Sequence, residues 1–276
     1  MVIMQSHLRR NNVNKNKNNK KSVVTSELDE FTIGNGRPFA VAEAHKRLRT
    51  NVIFSFADKS TCRVIGVTSS MAHEGKSTTS INLAYDMLQA GKRVLVIDAD
   101  MRLSQIAKSL EINTAPGLSN VLVGENNGEN LVQHVPSLKD LSIISCGNLP
   151  PNPSELLSSR RMEVLLETLK KTYQYIIIDL PPISAVSDAL ILSKLCDGMI
   201  LVVRQNYVDK GLLNDTVRQL RMNNANIIGF VLTCAQAGQK YYKYKKYGRY
   251  YRYYSKSYDP KERETQQESV SVPDGE

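Results

Sequence analysis

Apolar positions along the chain fall into two alternating rhythms. Between Arg63 and Thr233, short runs rich in Val, Ile and Leu recur: RVIGVTS, RVLVID, LSIIS, YQYIIID, GMILVVR and ANIIGFVLT. Each is nearly continuous in apolar residues and too short for a helix, the pattern of strands buried on both faces. Between them the apolar residues return at three- and four-residue spacing. This predicts a helix from about Gly75 to Gln89, a short helix, a loop around Pro116 and Gly117 and another small helix. Further helices are predicted over SELLSSRRMEVLLETLKKT, SDALILSKLC and KGLLNDTVRQLRMNN. Upstream, PFAVAEAHKRLRTNVIFSF predicts a helix opening at Pro38, with Val41, Ala44, Leu48 and Val52 on one packed face. Strands alternating with amphipathic helices define an α/β class with a mostly parallel sheet covered on both sides. Ligands of such sheets sit beyond the carboxyl ends of the strands.

The two ends carry no such rhythm. NNVNKNKNNKK has almost nothing to bury, and after Gln239 the chain reads KYYKYKKYGRYYRYYSKSYDP followed by polar residues. The organisation expected is a disordered basic segment over 1–35, a folded domain over 36–238 and a flexible tyrosine-rich tail over 239–276. The formal charge of +9 belongs to these ends. Residues 1–21 hold six basic side chains and no acid, and residues 240–256 hold seven and no acid, whereas basic and acidic residues balance over 22–239. A body without net charge argues against a dedicated nucleic-acid face. No apolar run approaches the roughly 18 residues of a membrane span, and the N-terminus carries no signal-like stretch, so a cytoplasmic chain is expected. Cys62, Cys146, Cys196 and Cys234 are scattered, without CxxC or histidine spacing, and read as buried thiols in a reducing compartment.

Three segments carry candidate chemistry. VTSSMAHEGKSTT lies between the first strand and its helix, which gives its GKST meaning as a phosphate-binding loop. Gly75 admits close approach of the backbone, Lys76 reaches β- and γ-phosphates, and the Ser77 hydroxyl takes a position on Mg²⁺. The N–H groups from Glu74 to Thr78 cradle a phosphate at a helix N-terminus. Ser70 stands where the standard loop has its first glycine. RVLVIDADMR ends its strand on Asp98 and Asp100, whose two-residue spacing aims both carboxylates at one mouth of the sheet. YQYIIIDLPP puts Asp179 at the end of a second buried strand, a Walker B position beside Mg²⁺. Asp98 is read as the group nearest an incoming tyrosine and Asp100 as metal or structural support. Asp188, Arg204 and Arg102 are weaker candidates.

Over about residues 36–258 these features resemble the bacterial tyrosine kinases of capsule and exopolysaccharide synthesis. Asp98, Asp100 and Arg102 look like that family's DxDxR, Asn152–Leu157 and YQYIIIDLPP look like its NPSELL and DxPP stretches, and SDA at 187–189 and VVR at 202–204 are similar too. The resemblance implies a P-loop fold of the deviant Walker branch, ATP and Mg²⁺, and assembly into rings through an ExxRxxR-like motif at Glu43, Lys46 and Arg49, with lysine in place of the first arginine. It implies phosphorylation of a tyrosine cluster on the neighbouring subunit's tail, here Tyr241, Tyr242, Tyr244, Tyr247, Tyr250, Tyr251, Tyr253, Tyr254 and Tyr258. Its further implications are a two-helix membrane activator of the chain-length-regulator type, which recruits the kinase to the inner membrane face, and a dedicated phosphatase. Ala72 and His73 depart from the usual Pro-Gly, Ser104 from a proline, and Thr233 from an asparagine closing the last strand.

Two other classes compete. A partitioning or positioning ATPase shares the loop, but Met71 stands where its extra lysine would be, and it needs no tyrosine tail. A binder of nucleic acid or another anionic polymer would use the basic, aromatic tail, yet explains neither the loop nor the three aspartates. A mobile segment with nine acceptors suits in-line transfer, and each phosphate adds about −1.5 to −2 charge. Repeated modification would therefore turn the tail from basic to acidic and loosen contacts with subunits or the membrane partner.

Overall fold

The computed structural model describes residues 2–3, 33–56, 62–126 and 128–235. Eight strands form one sheet: β1 Val2–Ile3, β2 Arg63–Ser69, β3 Val94–Asp98, β4 Gln133–Val135, β5 Leu141–Ile144, β6 Tyr175–Asp179, β7 Gly198–Arg204 and β8 Ile227–Thr233. Their order is β1-β8-β7-β2-β6-β3-β5-β4, and every pairing is parallel except β4 with β5. The mostly parallel sheet expected from the apolar runs is present. β2 lies centrally between β6 and β7, so the loop leaving it faces the ends of both neighbours.

Helices α1 Phe39–Phe54, α2 Lys76–Gln89, α3 Ile106–Ser109, α4 Leu118–Val123, α5 Pro153–Leu157, α6 Arg160–Leu169, α7 Asp188–Ser193 and α8 Lys210–Met222 flank the sheet. Period-two alternation sorts its side chains. Ile65, Val67, Val96 and Ile177 pack with Ala44, Leu48 and Val52 of α1 and Ile81 and Leu83 of α2. Val64, Leu95, Ile97 and Ile178 pack on the opposite face with Leu157, Met162, Leu166, Leu192 and Leu220 of α5–α8. Burial of these side chains at about 1.5–3 kcal/mol each supplies the driving force for the two layers.

Four local features differ from expectation. SELLSSRRMEVLLETLKKT is two helices, because Ser158 turns its hydroxyl onto the Glu155 carbonyl and Ser159 is extended (φ −76°, ψ 155°) ahead of α6. The edge strand β4 escapes pattern reading because three residues, two of them polar, give no period. Val2 and Ile3 pair with Val231 and Leu232 inside a stretch whose composition reads as unstructured. On α1, His45 is buried along with three of the four expected face residues, while Val41 is only half-buried.

Candidate active site

The loop from Ser70 to Gly75 joins β2 to α2 at the carboxyl edge of the sheet. Gly75 has φ +88°, and a Cβ placed there would lie 3.4 Å from the Thr233 methyl in a left-handed conformation that glycine adopts without strain. Lys76 opens α2 and Ser77 follows one residue later, so both start from the positive end of the helix dipole. The Lys76 ammonium meets Asp100 Oδ2 at 3.0 Å, with both side chains largely buried. Burial alone would depress its pKa, but the charges of Asp179 and Asp100 outweigh that and raise it.

Asp98 and Asp179 are register partners on adjacent parallel strands, which brings two expected site carboxylates side by side. Ser77 donates to Asp179 Oδ2 at 2.5 Å and Ser80, one helical turn on, to Oδ1 at 3.0 Å. Asp98 accepts the Asp100 amide at 3.1 Å and the Ser104 hydroxyl at 2.6 Å. Burial and the neighbouring Asp179 push the Asp98 carboxyl up to about 7, against the pull of Ser104. Burial pushes Asp179 up to about 6, with Lys76, Ser77 and Ser80 opposing. One cation and three carboxylates thus leave an excess of buried negative charge.

The weaker candidates acquire definite partners. Asp188 is fully buried, accepts the Ser154 hydroxyl and pairs with Arg102 Nε at 3.3 Å. One carboxylate thereby ties the DxDxR, NPSELL and SDA segments together. Arg204 donates its amide to Glu74 Oε2 at 2.9 Å and its guanidinium to the His73 carbonyl at 3.1 Å, and stacks 5.0 Å from the Tyr207 ring. Glu43 and Lys46 pair within α1 at 2.7 Å, and Lys46 is half exposed. Arg49 donates to the Asp86 carbonyl at 3.2 Å, so it stands apart from the other two.

The structure therefore brings Lys76, Ser77, Asp98, Asp100 and Asp179 together, with the amides of Glu74–Thr78 at the mouth of the same helix. Residue reading missed Ser80 and Ser154 as partners of the carboxylates. The helical spacing of Ser77 and Ser80 was the available signal for the first; nothing local indicated the second. Ser104 and Thr233, which depart from the family pattern, have hydroxyls bonded to Asp98 and to the phosphate loop. The nine tail tyrosines lie outside the described residues. Cys62, Cys146, Cys196 and Cys234 are free thiols, of which only Cys146 is buried.

This donor set fits a phosphate with a divalent cation. A serine hydroxyl beside crowded, buried carboxylates, with Asp98 and Asp179 pushed up chiefly by burial, suits a hard cation. Among the described residues no three His, Cys, Asp or Glu side chains form a metal-ligating group by themselves. The Ser70 hydroxyl, fully buried in the loop, has no hydrogen-bond partner among the described residues.

A parallel sheet whose central strand feeds a GKST loop, with an aspartate ending the adjacent strand, defines a P-loop protein of the deviant Walker branch. A family model described as an AAA domain matches residues 62–228. The tyrosine-protein kinase YwqD of Bacillus subtilis is 36% identical over 191 residues, 69% of this chain and 80% of that protein. The kinase domain of the Escherichia coli tyrosine kinase ETK superposes with a TM-score of 0.67 at 30% identity, covering 72% of this chain and 79% of that one. The septum site-determining protein MinD of Pyrococcus horikoshii, complexed with Mg-ADP, reaches a TM-score of 0.52 at 22% identity over 62% and 70% of the two chains, a likeness of fold alone. The chain belongs to the bacterial tyrosine-kinase family of capsule and exopolysaccharide systems. No helix among the described residues is long and apolar enough to cross a membrane.

Proposed function

We propose that this chain is an ATP- and Mg²⁺-dependent protein-tyrosine kinase that phosphorylates the tyrosine cluster of its own C-terminal segment, between subunits of a ring. The observation that carries this reading is the convergence of Lys76, Ser77, Asp98, Asp100 and Asp179 at one strand edge. Lys76 leaves Asp100 to neutralise the β- and γ-phosphate oxygens, while the amides of Glu74–Thr78 bind the β-phosphate. Ser77, Asp98 and Asp179 would hold Mg²⁺, which would supply positive charge to the phosphates. Asp98 orients the tyrosine hydroxyl and accepts its proton as the oxygen attacks the γ-phosphorus. The bond from that phosphorus to the bridging oxygen breaks, and ADP leaves.

The acceptors are Tyr241, Tyr242, Tyr244, Tyr247, Tyr250, Tyr251, Tyr253, Tyr254 and Tyr258. Glu43, Lys46 and Arg49 contribute to the subunit contact, with Lys46 most available. A two-helix membrane protein activates the kinase and holds it at the inner membrane face, and a phosphatase resets it. The cycle tunes polysaccharide synthesis and export.

The test is intact-mass spectrometry of the purified chain with Mg²⁺ and ATP, alone and with the cytoplasmic segment of the membrane protein, beside Lys76→Met. Stepwise gains of about 80 Da per phosphate, mapped to Tyr241–Tyr258 and absent from Lys76→Met, are expected. Steady ADP release without mass gain would replace the kinase reading with that of a switch ATPase.

A further inference from the structure

A carboxylate within a phosphate-binding loop is at odds with its task, because a fixed anion repels the polyphosphate it must help to bind. Glu74 is such a group, yet it is fully buried and both its oxygens are engaged. Oε1 accepts the Met71 amide at 2.7 Å, closing the loop on itself, and Oε2 accepts the Arg204 amide at 2.9 Å, fastening it to the end of β7. Two further bonds run the same way. The Arg204 guanidinium reaches the His73 carbonyl at 3.1 Å, and the Thr233 hydroxyl, from the last residue of β8, reaches the Glu74 carbonyl at 2.7 Å. The Thr233 methyl side lies against Gly75. His73 sits at φ +61°, a left-handed conformation uncommon outside glycine but more accessible to histidine than to most residues, and its carbonyl is held by this bond to Arg204.

We infer that Glu74 and Thr233 are positioning residues, which clamp the phosphate loop to the ends of β7 and β8 and hold its amides ready for the nucleotide. Their side chains act through the backbone of His73, Glu74 and Gly75 and touch no reacting atom. Preorganised amides bind without the cost of ordering a loop at the moment of binding, so loss of the clamp weakens nucleotide affinity first. The inference rests on the nucleotide-binding reading of this loop.

The sign of one substitution separates the clamp from simple repulsion. In Glu74→Gln a nitrogen must face one of the two amide donors, so the clamp opens although the charge is gone. A clamp predicts weaker binding; a merely repulsive carboxylate predicts tighter binding. Equilibrium titration of the full chain with a fluorescent ADP analogue and Mg²⁺ is expected to show roughly tenfold weaker binding for Glu74→Gln and for Thr233→Val, about 1.4 kcal/mol. Thr233→Ser, which keeps the hydroxyl, should stay within about twofold of the native chain. In the kinase assay the weakened variants should raise KM for ATP and largely preserve kcat. If Glu74→Gln does not fold, the Thr233→Val and Thr233→Ser pair decides alone. Glu74→Gln binding as tightly as the native chain or tighter, equal binding by the two Thr233 variants, or a fall in kcat at constant KM overturns the inference. A native chain that takes up no ADP removes both this inference and the nucleotide reading; native binding matched by every variant removes the clamp alone.

Discussion

Asp98 shows how one side chain reports the state of the whole site. Its folded pKa of about 7 stands above the ordinary 3.8, chiefly through burial and then through Asp179. Between those values the folded chain holds a proton that the unfolded chain has released. The resulting stability is present at low pH and is lost as pH rises through about 7. Asp179, raised to about 6, acts with the same sign. Without nucleotide and Mg²⁺, Asp98→Asn should melt close to the native chain at pH 4, near the ordinary carboxyl value. At pH 8 it should melt several degrees higher, reflecting on the order of 1–3 kcal/mol of relieved charge. Circular-dichroism melts at the two pH values check this, and a gain that is the same at both would show that charge is not its source. The aspartates were legible as residues because GKST and the two strand ends are local patterns. Their hydroxyl partners were not, since Ser104 lies six residues and Ser80 ninety-nine residues from the carboxylate each serves.

At the scale of elements, the helix that begins with Lys76 is anchored at its other end. Arg37, just before α1, grips Asp86 in the last turns of α2 with contacts of 2.6 and 3.0 Å, and both side chains are 4% exposed. The same guanidinium donates to the Gly34 carbonyl and lies 5.4 Å from the Tyr85 ring, while Arg49 reaches the Asp86 carbonyl. Nearby on α1, burial and then the Arg37 charge lower the His45 pKa to about 3, keeping that ring neutral. Arg37→Ala strands a buried carboxylate and should cost about 3–5 kcal/mol. Chemical denaturation measures this, and the double variant Arg37→Ala/Asp86→Ala should recover part of the loss. An Arg37→Ala loss below about 1 kcal/mol would mean that the pair behaves like an exposed one. The helices themselves were readable from three- and four-residue periodicity. This ion pair was not, because its partners are 49 residues apart and no pattern of either helix requires them to meet.

At the scale of the whole molecule, a charge-neutral body is followed by a basic, tyrosine-rich end, and the proposed function gives the two different tasks. If the body binds nucleotide and the end only receives phosphate, the two functions separate cleanly. Replacing all nine tyrosines from Tyr241 to Tyr258 with phenylalanine should abolish phosphate incorporation and leave ADP affinity within about twofold. Incorporation that persists would place acceptors in the folded body. A large loss of ADP affinity would make the tail part of the nucleotide site.

The strand and helix rhythm, the phosphate loop and the three strand-end aspartates were determined by the sequence, because each is written in neighbouring residues whose spacing matches a backbone period. The tertiary structure alone decided that Asp98 and Asp179 stand in register and that Asp188 joins three motifs. It also decided that Arg204 and Thr233 hold the phosphate loop. These facts depend on which strands become neighbours in the sheet. Strand order is chosen by packing across two buried faces rather than by any local pattern.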